Sequence, residues 1–263
     1  MKKIDFHTHV FPDKIAPRAL ETLAYRSGGL VPTYDGTVNG LLARMERENV
    51  DVSVALGIAT NPRQMKNVND FAASVNGQKL IAFGSVHPDA PDVMDELERI
   101  RAMGLQGVKF HPEYQSFYVD DEKMFPIYKK IGELGLITIF HAGGDIGFDE
   151  PYHCAPDRAA RIVDAFAAPV VFAHWGGWLM GGEVIRHLAG KDCYFDVSFG
   201  YGSLAREQAL KIVEKHGVDR LLLGSDGPWH TIEMEERFLS TLELSEREKE
   251  KIYYKNAQIL LNR

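Results

Sequence analysis

Two histidines stand two positions apart at the end of the first apolar run, Ile4-Asp5-Phe6-His7-Thr8-His9. Successive side chains of a β-strand point to opposite faces, so His7 and His9 are predicted to point the same way. Two imidazoles on one face can occupy two positions around one Zn, Mn or Fe ion. Because the chain has 10 histidines, such a spacing also arises by chance. The pair indicates a metal site only if the rest of the chain contributes further ligands.

Later apolar runs end in the same kind of residue. Asp226 follows Leu221-Leu222-Leu223 closely, and a buried carboxylate at such a place needs a partner or a metal. Asp5 shares a face with His7 but lies deeper, so we expect it to accept N–H groups rather than bind a metal. The other polar residues at the ends of apolar runs are His87, Lys109, His111, His141, His174 and Asp196.

Each of these histidines also has an ordinary structural explanation. His87 and His111 precede prolines and can simply turn the chain. His141 and His174 can be hydrogen-bonded core residues, but a Gly-Gly pair follows each closely and lets backbone approach a site, which favours a ligand or catalytic role. The remaining helical histidines, His187 and His216, are predicted to lie at the surface.

Eight apolar runs carry these residues and predict strands buried on both faces of a parallel sheet. Helix-like segments fill the intervals without a linker, and eight such units in about 250 residues are typical of a TIM barrel. We therefore predict a single-domain (β/α)8 barrel over residues 1–263. A doubly wound sheet would show a Gly-rich phosphate loop where this chain has Thr8-His9-Val10-Phe11-Pro12. The predicted strands are 3–6, 52–58, 80–86, 107–110, 136–140, 170–173, 194–197 and 220–223.

A long connection follows the first strand, at about 10–35, and carries Pro12, Pro17 and Pro32 before the next predicted helix. In a barrel it would lie over the C-terminal ends of the strands, where active sites are found. We predict that it forms a lid or a pocket wall. Elsewhere, Asn61 and Ser245 are predicted to begin helices, and Gly217 to end one.

Composition limits the partners of the protein. The net charge of −7 and the pI near 5.8 argue against nucleic acid or an anionic membrane as the main partner. Cys154 and Cys193 are the only cysteines, so a disulfide framework is not expected and a reducing cytoplasm is the predicted location. No apolar run reaches the length of a membrane span. A small-molecule substrate is the expected partner.

Taken together, the motifs resemble those of the amidohydrolase superfamily along the whole chain. The nearest branch is the amidohydrolase-2 family, the metal-dependent hydrolases grouped with aminocarboxymuconate-semialdehyde decarboxylase. The resemblance is carried by the opening Asp5-Phe6-His7-Thr8-His9, Lys109-Phe110-His111-Pro112, Phe140-His141-Ala142-Gly143, Ala173-His174-Trp175-Gly176-Gly177, Gly224-Ser225-Asp226-Gly227-Pro228 and the ending Asn256-Ala257-Gln258.

The resemblance implies one divalent metal ion, usually Zn2+ with Mn2+ as the alternative. It implies His7, His9, His141 and Asp226 as ligands, with a water at an open position. Asp226 would also move a proton during catalysis, and His174 would orient the water or stabilise negative charge. Lys109 and His111 are implied as substrate contacts. A carboxylated Lys109 would instead make the site binuclear, as elsewhere in the superfamily. Relatives are often dimers, so the resemblance also allows a homodimer.

The resemblance leaves the reaction open. Hydrolysis of a C–N or C–O bond in an amide, lactone or ester is the leading prediction, because the chain lacks the long insertions common in related decarboxylases. Non-oxidative decarboxylation of an aromatic or unsaturated carboxylic acid is the alternative, and Lys109 and Arg158 are candidates to bind its carboxylate. Phosphoester cleavage fits less well, since Asp226-Gly227-Pro228 lacks the Asp-x-His pattern of the histidinol-phosphatase-like group. The fourth alternative, a non-catalytic metal-binding scaffold, would require a missing ligand, and none is missing.

Aromatic residues are predicted to surround the mouth of the barrel, which suits a flat or cyclic substrate, although lid or core packing explains them equally well. They are Tyr152, Trp175, Trp178, Tyr201 and Trp229.

Overall fold

The computed structural model describes residues 1–262 and contains eight parallel strands that alternate with helices. The strands are Ile4–Thr8 (β1), Val52–Leu56 (β2), Leu80–Phe83 (β3), Gly107–Phe110 (β4), Ile137–Phe140 (β5), Val170–Phe172 (β6), Tyr194–Asp196 (β7) and Leu221–Leu222 (β8). The helices are Ala16–Arg26 (α1), Val38–Glu48 (α2), Met65–Val75 (α3), Val93–Ala102 (α4), Pro112–Gln115 (α5), Met124–Glu133 (α6), Pro156–Ile162 (α7), Gly181–Glu183 (α8), Arg206–His216 (α9), Ile232–Ser240 (α10), Glu246–Glu250 (α11) and Asn256–Leu260 (α12). Two π-helical turns, Val184–Leu188 and Lys251–Lys255, follow α8 and α11.

The strands close into a ring in chain order. Ladders join β1 to β3 and β4 to β8. Between β3 and β4, the Gly84 N–H donates to the Gly107 carbonyl at 2.9 Å. Between β8 and β1, the Phe6 N–H donates to the Leu223 carbonyl at 2.7 Å. The predicted (β/α)8 architecture is confirmed, and the C-terminal strand ends meet at one mouth.

Apolar side chains pack on both faces of this ring. Phe6 of β1 and Phe83 of β3 meet edge to face, with centroids 6.0 Å apart, although β2 separates their strands. Such a contact is made across the inside of the ring, and Ala257 and Leu260 of α12 join the same cluster. A larger cluster lies between strands and helices. Burial on both faces explains why most residues of the strands are apolar.

The first strand departs from strict alternation where the site begins. Asp5 pairs with Ser53 and Thr8 with Ala55, so three steps along β1 oppose two along β2. The extra residue makes a bulge, and bulges redirect side chains. Alternation alone therefore does not determine where His7 points, because His7 lies inside this irregular stretch.

The long connection after β1 contains α1, a helix that the sequence analysis did not predict. The C-terminal part of the connection is fixed to the strand ends, because the Tyr34 hydroxyl donates a hydrogen bond to the His9 carbonyl. The Thr33 hydroxyl likewise donates to the Pro228 carbonyl at 2.8 Å. The connection returns to the barrel mouth, where the sequence analysis placed it.

Three predicted helix boundaries agree with the structure. The Asn61 side chain accepts the Arg63 N–H at 3.1 Å at the start of a short 3-10 turn. Ser245 and Glu248 form a reciprocal capping box at the start of α11. Gly217 ends α9 with a φ of 84°, a conformation that glycine adopts readily.

The cysteines are both buried and unpaired, as expected without a disulfide framework. Burial raises the pKa of the Cys193 thiol to about 12. Among the described residues, no helix is both long enough and apolar enough to span a bilayer.

A buried ion pair ties the first strand to the segment after the last. Arg44 of α2 is fully buried, and its Nη2 donates to Asp5 Oδ2 at 2.7 Å and to Ser225 Oγ at 2.8 Å. Its Nη1 donates to the His230 carbonyl at 2.9 Å. Asp5 also accepts the backbone N–H groups of Ser225 and His7, which confirms its predicted acceptor role. The sequence analysis did not identify Arg44, because helical arginines are usually exposed.

We predict that Arg44→Ala lowers the free energy of unfolding by about 3–5 kcal/mol, because it leaves the Asp5 carboxylate buried without its cation. Urea unfolding followed by circular dichroism measures the change. Arg47→Ala removes an exposed arginine from the same helix and is the matched control, with an expected change within about 0.5 kcal/mol. Equal stability of the two variants would show that the pair does not stabilise the fold.

The prediction that His216 lies at the surface is wrong. Its ring is 3% exposed and stacks on Phe195 of β7, with centroids 3.9 Å apart and planes 9° apart. Nδ1 accepts the Gly190 N–H at 3.1 Å. Burial, followed by the nearby Arg220, lowers the pKa of His216 to about 4. The last turn of α9 faces the sheet, which its polar sequence neighbours do not reveal.

This burial predicts a pH dependence of stability. His216 has a pKa near 6.5 when unfolded and about 4 when folded, so the unfolded state binds more protons between these values. Its contribution is complete above pH 6.5 and is lost as the pH falls towards 4. We expect wild type to lose stability relative to His216→Phe over this window in urea unfolding. For His187→Gln, which alters an exposed histidine, the free energy of unfolding should change with pH in parallel with that of wild type. A His216→Phe curve that is also parallel to wild type would disprove the effect.

Candidate metal centre and active site

A pocket of about 220 Å³ opens at the C-terminal ends of the strands and contains every residue of the predicted site. Its polar lining consists mainly of His7, His9, Lys109, His111, His141, His174 and Asp226, and its apolar lining includes Phe11, Leu30, Leu56, Ile58, Ile146, Trp178, Phe199 and Trp229. Phe11 and Leu30 belong to the connection after β1, which therefore forms part of the pocket wall.

Hydrogen bonds define which nitrogen of each β1 histidine is free. Nδ1 of His9 lies 2.8 Å from the Leu56 carbonyl, which can only accept, so Nδ1 carries the hydrogen. Nδ1 of His7 lies 2.9 Å from Asp196 Oδ2 and donates to that carboxylate. In the neutral rings, both Nε2 atoms therefore present lone pairs to the pocket. This is the arrangement that metal-binding histidines use.

Both free nitrogens meet the same carboxylate. Nε2 of His7 and Nε2 of His9 each lie 3.0 Å from Oδ1 of Asp226. Burial, and then the nearby Lys109 ammonium, hold the pKa of His7 well below its usual range, so its ring stays neutral. Burial alone would raise the pKa of Asp226, but its contacts with His7 and His9 and the nearby Lys109 ammonium hold that pKa below its usual range. Three acceptor atoms thus converge, and a cation satisfies all of them.

A second pair of lone pairs lies alongside. Nε2 of His141 donates to the Gly144 carbonyl at 2.9 Å, which leaves Nδ1 as an acceptor. Ser198 Oγ donates to Asp196, so Nδ1 of His174 must donate to Ser198 Oγ, at 2.8 Å. His141 Nδ1 and His174 Nε2 then face each other as two acceptors 3.1 Å apart. His174 belongs with His7 and Asp226 to a group whose ligand atoms lie within 4.8 Å of one another.

These residues fit a divalent cation. Neutral imidazole and ionised carboxylate are suitable ligands for Zn2+ and Mn2+, and the tautomers point the unprotonated nitrogens inward. His7, His9 and Asp226 meet directly, whereas His141 faces His174 through Nδ1 and belongs with His111 and Asp145 to a second group of possible ligands. The ligand set implied by the resemblance stays a prediction, and the geometry adds His174 to the candidate ligands.

Lys109 lies beside the candidate ligands. Its side chain is 1% exposed, and Nζ lies 3.2 Å from Nε2 of His7. Burial lowers the pKa of Lys109 to about 8, against the opposing influence of Asp226 and Asp196. Among the described residues that line the pocket, it is the only lysine or arginine. The other candidate for binding a substrate carboxylate, Arg158, pairs with Asp120 and stacks over Tyr118 away from the pocket.

His111 caps a short helix and also lines the pocket, while its substrate contact stays a prediction. Nδ1 accepts the Tyr114 N–H at 3.5 Å and caps the short helix α5, while the ring lines the pocket. Nε2 faces Asp145 Oδ2 at 3.3 Å, and the ring stacks on His141 with centroids 4.1 Å apart. Burial, followed by the nearby His141, lowers the pKa of His111 to about 3.

Two acidic site residues were not assigned from the sequence. Asp196 accepts hydrogen bonds from His7 Nδ1 and from the Ser198 hydroxyl. Its position at the end of β7 was the feature of the sequence that could have identified it as a site residue. Asp145 contacts His111 from the loop after β5, and a loop carboxylate gives no comparable signal. Burial would raise the pKa of Asp145, but His111 and His141 lower it below its usual range.

The backbone is strained where two site residues leave their strands. His174 has a φ of 58° and Asp226 a φ of 57°, in the left-handed region that non-glycine residues rarely adopt. Gly143 has a φ of 82°, and a Cβ there would lie 2.3 Å from the Trp178 backbone nitrogen. The Gly-Gly pairs therefore let the loops after β5 and β6 join each other, as the Trp178 N–H does by donating to Ala142 at 2.9 Å.

Several residues named from the sequence lie outside the pocket. His87 accepts the Asp89 N–H at 3.2 Å and turns the chain, as its ordinary explanation holds. Trp178 and Trp229 line the pocket, but Trp175 is buried and donates to the Val197 carbonyl at 2.9 Å. Tyr152 and Tyr201 also lie outside the pocket lining. The same is true of two loop histidines to which the sequence assigned no role, His153 and His230.

Comparison with solved structures identifies other chains with this fold. The 5-carboxyvanillate decarboxylase of Sphingomonas paucimobilis is 17% identical, with a TM-score of 0.78 and 99% of both chains covered. An uncharacterized TIM-barrel protein of Bordetella bronchiseptica is 20% identical, with a TM-score of 0.77 and coverage of 100% of this chain and 99% of that one. A dihydroxybenzoic acid decarboxylase of a Polaromonas species, solved with manganese and the inhibitor 2-nitroresorcinol, is 14% identical, with a TM-score of 0.71 and coverage of 100% and 98%.

At these identities the likeness shows the fold alone. None of the curated proteins matches the sequence. A family model, Amidohydro_2, described as amidohydrolase, matches residues 4–263. The match spans nearly the whole chain, on a closed barrel whose strand ends bring His7, His9 and Asp226 together. The chain is therefore a member of the amidohydrolase-2 family.

Proposed function

We propose that this protein is a metal-dependent decarboxylase that removes CO2 from an aromatic or unsaturated carboxylic acid without an oxidant. The observation that carries the proposal is Lys109, a buried cation in an otherwise largely apolar pocket, beside the converging histidines. A buried cation of this kind suits an anionic substrate, because a substrate carboxylate would add to the compensation that Asp226 and Asp196 give its charge.

The proposed cation would be held by His7, His9, His141 and Asp226, with His174 beside them. When bound, it would act as a Lewis acid that polarises substrate oxygens and stabilises developing negative charge. Asp196 and the Leu56 carbonyl hold the β1 imidazoles in the tautomers that this role requires.

The pocket walls favour loss of a carboxylate. Phe11, Leu30, Ile58, Trp178 and Phe199 line the pocket and would shield a bound substrate from water. In an apolar environment a carboxylate is poorly solvated, whereas CO2 is neutral and needs no solvation, so desolvation favours the reaction in this direction. Lys109 would form an ion pair with the substrate carboxylate before the reaction. It would form none with CO2, because CO2 is neutral.

The reaction requires one proton. The carbon–carbon bond breaks, its electron pair stays on the substrate carbon, and CO2 departs. That carbon must then receive a proton, and Asp226 is an ionised group of the pocket that can take one from water or an acidic substrate hydroxyl and pass it on. His174, fixed by Ser198, is placed to orient the substrate or the developing charge.

The sequence analysis favoured hydrolysis, and the comparisons favour its alternative. Its reason was the absence of long insertions, but the alignment with 5-carboxyvanillate decarboxylase covers 99% of both chains. Decarboxylases also recur among the similar structures. Lys109 in the pocket adds support, since the attack of water on a neutral ester or amide does not require an anion-binding cation.

Decarboxylation and hydrolysis are separable with one substrate panel. In D2O, Mn2+- or Zn2+-loaded protein should convert 2-hydroxybenzoate or 2,6-dihydroxybenzoate to the phenol, with one CO2 released and one deuterium on the ring carbon. Lys109→Met should lower kcat/KM at least about 30-fold, whereas the exposed Lys129→Met should leave it unchanged. Turnover of phenyl acetate or a lactone, without decarboxylation of any acid, would replace this proposal by hydrolysis.

Metal retention tests the proposed ligands separately from turnover. His7→Ala combined with His9→Ala should reduce the metal content from about one ion per chain to below about 0.1, because two lone pairs disappear from the centre. Elemental mass spectrometry on untagged protein measures it. His187→Ala, an exposed histidine, is the control and should retain wild-type metal. Undiminished metal in the double variant would place the ion elsewhere.

A further inference from the structure

One wall of the pocket is an aromatic ring held in an uncommon conformation. Phe199 lines the pocket and has a φ of 54°, which bulky residues rarely adopt. Its ring lies edge-on to His174, with centroids 5.6 Å apart and planes at 84°. The centroid of the Phe199 ring also lies 5.7 Å from that of Trp178. Such a placement persists only where the surroundings determine it.

A hydrogen-bonded pair behind Phe199, His230 and Glu235, provides that constraint. The His230 ring stacks on Phe199 with centroids 4.0 Å apart and planes 30° apart. His230 Nδ1 donates to Glu235 Oε1 at 2.8 Å, and Glu235 is fully buried. The other Glu235 oxygen accepts the N–H groups of Gly200 at 2.9 Å and Tyr201 at 3.1 Å. Glu235 therefore fixes both the stacked ring and the backbone that follows Phe199.

The same segment is fixed from its other side. A Cβ on Gly200 would lie 2.5 Å from Trp175 Nε1 and 2.6 Å from Phe238 Cδ1, so its backbone packs tightly against both rings. The His230 carbonyl accepts a hydrogen bond from Nη1 of Arg44. This bond links His230 and Glu235 to the ion pair of Arg44 and Asp5 under the site. Neither His230 nor Glu235 lines the pocket, so both act through Phe199.

We propose that Phe199 is a specificity-determining wall that selects flat, ring-shaped acids, and that Glu235 and His230 are positioning residues that hold it. Aromatic rings gain from edge-to-face or offset contact with another ring beyond the area they bury. A saturated ring of similar size and equal charge gains only the apolar burial. The inference rests on the proposed carboxylate site, but it concerns binding and does not depend on turnover.

Two matched acids test the proposal by calorimetry on metal-loaded protein. Benzoate and cyclohexanecarboxylate carry the same charge on rings of six carbons, one flat and one puckered. Wild type should bind benzoate about 2- to 10-fold more tightly. Phe199→Leu should reduce this ratio to about 1 while affinity for cyclohexanecarboxylate stays within about twofold. Tyr201→Leu, an exposed aromatic in the same segment, is the control and should keep the wild-type ratio.

The positioning residues are tested by loss and rescue. Glu235→Ala should reduce the ratio as Phe199→Leu does, with metal content unchanged. Glu235→Gln should retain it, because the amide oxygen can accept both backbone N–H groups while the amide nitrogen donates to the other tautomer of His230. His230→Ala tests the same link if Glu235→Ala does not fold.

The outcomes separate this inference from the proposed reaction. A wild-type ratio near 1, no binding of either acid, or an unchanged ratio in Phe199→Leu would overturn the selective wall. An unchanged ratio in folded Glu235→Ala and His230→Ala would overturn the positioning role. A normal ratio in a protein that decarboxylates no acid would overturn the reaction and leave this inference standing.

Discussion

The rest of the structure depends on one electrostatic arrangement, the meeting of unprotonated acceptor atoms at the barrel mouth. Nε2 of His7 and Nε2 of His9 lie 3.0 Å from the same oxygen of Asp226. Lone pairs at such distances repel when each ring carries its hydrogen on Nδ1, and Lys109 Nζ, 3.2 Å from Nε2 of His7, is a cation that offsets part of this repulsion. The fold can hold this arrangement because Asp196 and the Leu56 carbonyl bind the far side of each ring. A divalent cation turns the repulsion into coordination, so the geometry is preorganised for one.

Closure of the β-barrel brings these atoms together. His7 and Asp226 belong to the first and last strand segments, which meet only because β1 pairs with the chain around β8. The buried pair of Asp5 and Arg44 reinforces this seam directly beneath the site. The left-handed conformation of Asp226 costs about 1–2 kcal/mol, which the surrounding hydrogen bonds offset. Stability and chemistry therefore share the same seam, and damage to the ion pair should reach the metal centre as well.

The sequence predicted the parts of the site that strand ends provide. Lys109, His141 and Asp226 each lie at or shortly after the end of a mostly apolar segment, and in a parallel barrel all such ends meet at one mouth. The features missed depend on tertiary partners, which local pattern does not encode. Arg44 occupies a helix face that packs on a buried carboxylate, and Asp145 reaches the site from a loop. The bulge in β1 escaped notice because strict alternation gave the same expected face for the first two histidines.

The sequence supported the prediction of the reaction less strongly than the prediction of the fold. Chain size favoured hydrolysis, yet a decarboxylase of closely similar fold is covered over 99% of its length. The proposed decarboxylation rests instead on the content of the pocket, where one buried lysine lies among largely apolar walls. Such a combination emerges only when Lys109 and residues distant in sequence, such as Phe11 and Phe199, are placed together.

The most direct test of this account is the position of the metal in crystals of the protein loaded with Mn2+ or Zn2+, determined from anomalous scattering. The account predicts one strong peak between Nε2 of His7, Nε2 of His9 and the Asp226 carboxylate. No peak there in fully loaded protein, or a peak only between His111 and Asp145, would contradict the claim that these converging acceptors form the metal centre.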